Sequence, residues 1–268
     1  MKRISLMSIC IFAMCFILSS CSSDKDTIPI SESNKLIIYL DNVFDAYVDR
    51  HPEYQSYLGI KKDYDKWDDI SPSAEDRELL HAKVSLKWLK DSIDIKLLDN
   101  KALLSYELYT KKLENQISDH KYRLYNYPLN QMSGKQSSVP AFLINMHKIT
   151  SIEDAQDYIA RLNGIRPLFN QLFKNIKERE SFGIVPPDFI LDHVLDDSKN
   201  VLNGFPLSGQ DSCALFLDFH DKVMKIDIPG ITKDSLLQSC KDAIITSVKP
   251  SYENLIDLVI GLKNKFDE

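Results

Sequence analysis

A chain of 268 residues that is 44% hydrophobic and 27% charged carries enough apolar material for one sizeable core and is too apolar to remain disordered. Its 33 Lys and Arg against 39 Asp and Glu leave a net charge of -6 without any basic cluster, which excludes nucleic acid as a natural partner. Lys174, Lys177 and Arg179 alternate with Glu178 and Glu180, the pattern of a solvated helix face.

Residues 1–20 place Lys2 and Arg3 before an apolar run from Ile9 to Leu18, followed by Ser19-Ser20 and Cys21. A charged start, a short apolar stretch and small residues before a cysteine describe a secretory leader of the lipoprotein kind. The run is too short to cross about 30 Å of hydrocarbon, so it predicts a cleaved leader rather than a membrane span. Cys21 is then the lipidation site, and its acyl chains make a membrane surface the first partner. Ser22 in place of an aspartate, by resemblance to other bacterial lipoproteins, points to the outer membrane. Residues 21–33, polar and aperiodic, predict a flexible tether, and residues 34–268 a helical domain.

Within that domain Asn34 is placed to cap a helix carrying Leu36, Leu40, Val43 and Tyr47 at helical spacing, ended by His51-Pro52. Lys61 to Ile70 reads as a charged loop around Trp67. Ser71-Pro72 has the cap-then-proline order of a helix start, and Asn100 opens another helix, so the two predict an antiparallel hairpin. Tyr122 to Tyr127 alternates enough to be extended, and Pro140 opens a short helix. Thr150 with Glu153 has capping-box spacing, and Gly164 with Pro167 marks a joint between two successive helices that ends at Gly183 and Pro186-Pro187. Helices are further expected around Ile190 to Leu202 and around Leu215 to Phe219. Another runs from Thr232 to Val248, where Pro250 breaks or kinks it, and Tyr252 to Phe266 forms an amphipathic end. The fold class is all-α, a packed multi-helix domain.

Glu153-Asp154-Ala155 followed by Tyr158-Ile159, Arg161-Leu162, Gly183 and Pro186-Pro187 carries a likeness that covers most of the chain after the leader. His51-Pro52 to Gly59, Pro128 to Met132 with Gly134, and Ala243-Ile244 leading to Val248, Pro250 and Tyr252 extend it. In these motifs the chain resembles the N-terminal half of the bacterial "domain of unknown function 885" family, whose members are often lipoproteins and look like zinc-dependent peptidases. The resemblance implies a larger helical metallopeptidase-like fold, a peptide substrate, and zinc only in a full-length member. The family's His-Glu-x-x-His lies in its C-terminal half, and no such sequence occurs here. The expectation is therefore a non-catalytic first half that walls part of a substrate cleft and holds no cofactor, with a C-terminal half as its missing partner, or else a relative without the metal site.

The histidines support that reading, since no two lie one helical turn apart as zinc ligands would. His193 shares a helix face with Asp196 and Asp197, and a carboxylate can orient an imidazole, but an exposed ion-paired histidine is the simpler reading. His220 beside Asp221 is weaker, because adjacent helical residues diverge. Should a site exist, these four candidates are His193, Asp196, Asp197 and His220. Cys213 and Cys240 fall within apolar helical patterns and read as two buried thiols rather than a disulfide. Tyr122, Tyr125 and Tyr127 are expected to pack between helices, although aromatic rings could also line a peptide or glycan groove. The alternative function is a helical binding or scaffolding lipoprotein for a peptide, glycan or protein partner.

Overall fold

A computed structural model describes residues 31–265. The leader, Cys21 and the tether up to residue 30, like Phe266, lie outside the described residues. The helices in chain order are α1 (Glu32–Arg50), α2 (Pro52–Tyr57), α3 (Pro72–Ser92), α4 (Asn100–Asp119), α5 (Lys135–Met146), α6 (Ile152–Ser181), α7 (Asp188–Val201), α8 (Ala214–Met224), α9 (Gly230–Ala243) and α10 (Lys249–Lys263). Among the described residues there is no strand, and no helix is long and apolar enough to cross a membrane.

The fold is all-α and has two apolar cores. The larger one surrounds α6, whose Tyr158, Leu162, Ile165, Phe169 and Leu172 are fully buried, and takes in side chains of α5, α7, α8, α9 and α10. The smaller one lies between α1 and the α3–α4 hairpin and is built on Leu36, Ala82, Leu89, Ala102 and Leu113. The hairpin therefore forms as its capping signals require: the Ser71 hydroxyl accepts from Ala74 N, and Asp99, one residue before the expected Asn100, accepts from Lys101 and Ala102.

Several local expectations are corrected. Gly164 and Pro167 do not mark a joint, because α6 runs unbroken for 30 residues. Proline at 167 removes the donor for the Asn163 carbonyl, and the Ser247 hydroxyl supplies one at 3.0 Å. Gly164 faces the Trp67 ring, where a Cβ would come within 2.9 Å of the indole. The glycine is thus a packing requirement inside a helix rather than its end. The same device rescues α5, in which Pro140 is internal: the Tyr252 hydroxyl donates to the orphaned Gln136 carbonyl at 2.8 Å.

Caps shift by one or more residues. Ser31 rather than Asn34 caps α1, which begins two residues inside the expected tether. At α6 the reciprocal pair is Ser151 with Asp154, not Thr150 with Glu153, and Thr150 instead donates through its backbone and hydroxyl to Asp154. Tyr122 is not extended, since residues His120–Tyr125 form a 3-10 turn. The α9 helix begins at Gly230, before Thr232. Before Pro250 the chain widens into a π turn, Ile244–Val248, in which Lys249 N bonds back to Ile244 O. The wider turn gives the proline ring room without breaking the helix.

Tyr252 is fully buried, so Tyr252→Phe leaves the Gln136 carbonyl without a donor. We expect a loss of about 1–3 kcal/mol, read as a shift in urea midpoint. An unchanged midpoint would show that the carbonyl finds another partner.

Candidate functional site

The two cores are joined by one polar stripe. Arg161, Gln171, Asn175 and Arg179 recur on a single face of α6 and reach across to the segments that leave the small core. Gln171 accepts from Ile70 N at 2.9 Å, and Asn175 donates to Ile70 O at 2.6 Å. Arg161 bonds both residues of the Lys66-Trp67 pair: its guanidinium donates to Lys66 O at 3.0 Å, and its carbonyl accepts from the Trp67 indole N–H at 2.8 Å.

Arg179 was grouped with a solvated face and is instead almost completely buried. Its guanidinium donates to Asn126 O at 2.9 Å, Arg123 O at 3.0 Å and Asn175 O at 3.1 Å, which fixes the loop leading to Pro128. Burial holds it below the usual arginine range, opposed by Glu75 and Glu178.

Above this stripe opens a cleft of about 770 Å³ between the small core and α6. Its walls carry charges of both signs in pairs. Arg50 grips Glu78 with a forked contact at 2.9 and 3.3 Å, Arg77 pairs with Asp69, and Arg123 lies 4.0 Å from Glu75. Burial pushes the Glu75 carboxyl up, against the pull of Arg179 and Arg123. His120, at the end of α4, turns a buried Nε2 that has no hydrogen-bond partner among the described residues and lies 3.6 Å from the Asp76 carboxylate. Arg50, Glu78 and Gln116 also line a second cavity of about 630 Å³, which is walled by Phe44, Tyr47, Tyr54 and Tyr109. The Arg50–Glu78 pair thus stands between a charged compartment and an aromatic one.

The four residues singled out from the sequence line neither cavity. His193 and Asp196 are exposed on α7, and Asp197 accepts from Gln136 Nε2 at 3.2 Å. His220 and Asp221 do meet, at 3.1 Å, but on the surface of α8. No three His, Cys, Asp or Glu side chains among the described residues are grouped to hold a metal ion, so the residues present do not fit the zinc implied for full-length members. Cys213 and Cys240 are both buried and free, and burial pushes both thiols up. Tyr122 and Tyr125 are exposed rather than packed between helices, whereas Tyr127 lines the cleft.

The cleft residues missed in the sequence, His51, Arg50, Glu78, His120 and Arg179, come from four separate segments. Only Arg179 carried a signal, since it continues the Arg161, Asn175 face at helical spacing.

No curated protein matches the chain. A crystal structure of "the putative lipoprotein from Colwellia psychrerythraea" is similar in fold, with a TM-score of 0.72 at 16% identity over 88% of this chain and 42% of that one. This chain therefore spans less than half the length of that protein. The family described as bacterial protein of unknown function, DUF885, matches residues 52–265, most of the sequence, and the chain belongs to it.

Proposed function

We propose that this domain forms one wall of a substrate cleft in a lipid-anchored protein of the bacterial envelope, at the outer membrane, and carries no catalytic groups of its own. The observation behind the reading is the cleft between the two cores, about 770 Å³ in volume, walled by paired charges. Alternating donors and acceptors of both signs suit a polar extended ligand such as a peptide, whose amides and termini need both. The leader of residues 1–20 just before Cys21, and the likeness in fold to a protein described as a lipoprotein, support the anchor.

The test uses the purified chain with mixtures of short peptides. Binding without hydrolysis is expected, and replacing both Arg50 and Glu78 by alanine should weaken it by about tenfold, equivalent to roughly 1.4 kcal/mol. One zinc per chain together with chelator-sensitive cleavage would overturn the reading and make the cleft histidines His51 and His120 the first residues to mutate. The aromatic cavity favours a second reading, a binding or scaffolding lipoprotein for a peptide, glycan or protein partner. A glycan that binds in preference to every peptide, and whose affinity falls with Tyr47→Ala, would select it.

A further inference from the structure

The end of the domain at the start of α1 carries exposed apolar side chains. The start of α1 is fastened to the turn between α3 and α4 at three places. Glu32 accepts from Asp94 N at 3.0 Å, Ser33 accepts from Asp99 N at 3.0 Å, and the Lys35 ammonium donates to Ser92 O. The first helical residue and the α3–α4 turn therefore form one tip.

That turn, Ile95–Leu97, is a short 3-10 element held by the Asp94 carboxylate on Lys96 N. A solvated turn ordinarily carries Gly, Asn, Asp or Ser. This one reads Asp-Ile-Lys-Leu-Leu-Asp, with Ile95 49% and Leu97 67% exposed, and Leu104 follows on α4 at 56%. Lys96 and Lys101 stand exposed beside them. The carboxylates of the tip are already engaged: Asp94 and Asp99 accept backbone N–H groups, and Glu32 holds Asp94 N and the Lys35 ammonium. An apolar tip rimmed by lysines, with its exposed acids engaged by backbone N–H groups, suits a lipid surface better than water or an acidic polypeptide.

Chain length makes the same choice. Only about ten residues separate Cys21 from Ser31, a reach of at most roughly 35 Å even fully extended. With acyl chains on Cys21, the start of α1 and the tip fastened to it must lie within that reach of the bilayer.

We propose that the α3–α4 tip docks on the membrane that holds the lipid, with Ile95 and Leu97 entering the boundary between headgroups and acyl chains. This rests on the lipid-anchor reading above. Docking would fix the orientation of the domain and keep the tip buried in lipid while the larger core stays in water.

The experiment uses the acylated full chain in phosphatidylethanolamine–phosphatidylglycerol liposomes, with a polarity-sensitive fluorophore on Leu97→Cys and, separately, on Ile231→Cys. Ile231, 78% exposed at the start of α9, is the control position. The Leu97 probe should shift to shorter wavelength and be quenched several-fold more by nitroxide lipids than the Ile231 probe, with the order reversed for aqueous iodide. Labelled fatty acid is followed in the same sample. Acylated protein with a water-like Leu97 probe would overturn the docking alone, and so would a shift that appears only when envelope proteins are added. Protein that takes up no fatty acid would overturn the anchor and the docking together.

Discussion

Arg161→Met should lower stability by more than about 4 kcal/mol, a large part of what a domain of this size has in reserve, and leave much of the chain unfolded at 37 °C. The guanidinium is completely buried. It donates to Ser56 Oγ at 2.8 Å, Lys66 O and His147 Nδ1 at 3.0 Å, and Pro52 O at 3.4 Å, and it sits 4.8 to 5.0 Å from the Phe142 and Tyr64 ring centres. No carboxylate is paired with it directly, and burial lowers its pKa to about 10, still charged at neutral pH.

Two effects oppose each other on substitution. Removing a buried charge recovers a desolvation cost, which is why some buried ion pairs can be replaced by apolar residues without loss. Here, however, the acceptors stay behind in the interior, each costing about 1–3 kcal/mol without a donor, and the second effect wins. Arg161→Lys should lie between, because one ammonium cannot reach acceptors spread around a planar fork. Urea midpoints of the two variants measure this. A methionine variant within about 1 kcal/mol of the parent would show that desolvation dominates, as it does in some buried ion pairs.

The second large effect is on the dependence of stability on pH. His147 is fully buried, with Nε2 donating to Asp154 O at 2.8 Å and Nδ1 accepting from Arg161. That arrangement requires the neutral ring. Burial, reinforced by the charges of Arg161 and Lys222 and opposed by the Asp154 carbonyl, lowers its pKa from 6.5 to about 3. Because the folded value lies below the unfolded one, the unfolded chain takes up the proton first. Stability from this group is complete above about pH 6.5 and is lost as pH falls toward about 3.

Between pH 7 and pH 5 the loss should be about 2 kcal/mol, before the carboxylates begin to titrate. His147→Gln keeps a donor and an acceptor without a titrating ring, so its urea midpoint should change far less over that interval. Equal slopes for parent and variant would mean that water or a local rearrangement lets the folded protein accept the proton.

How far the sequence reaches can be seen at α6. Periodicity alone showed its apolar face, because Ile152, Ala155, Ile159 and Leu162, then Leu168, Leu172 and Ile176 with Phe169 and Phe173, repeat at the helical interval whatever they pack against. The hairpin of α3 and α4 was equally legible from Ser71-Pro72 and from Asn100, one residue past the observed cap at Asp99, since caps are satisfied within a few residues of chain. The family was also readable, as its motifs lie in linear order.

What local signals could not convey was where freed backbone groups find partners. Gly164 and Pro167 look like a break, and remain inside one helix only because Trp67 covers the first and Ser247 serves the carbonyl released by the second. The amphipathic end expected from Tyr252 onward shows a stripe but not what covers it, and Tyr252, Leu255, Val259 and Leu262 pack against α6 and α7. Conversely, Leu80, Val84, Leu104 and Leu108 fit the helical period of the hairpin and yet face outward.

Composition, charge and helical period are properties of neighbouring residues, and the sequence by itself determined them: an acidic all-α domain. The cleft is not such a property. Arg50, Glu78, His120 and Arg179 are far apart along the chain, and only tertiary packing brings them together. The polar stripe of α6 holds the loops of the small core against the large one, and charges that no spacing rule connects face each other across the gap between them.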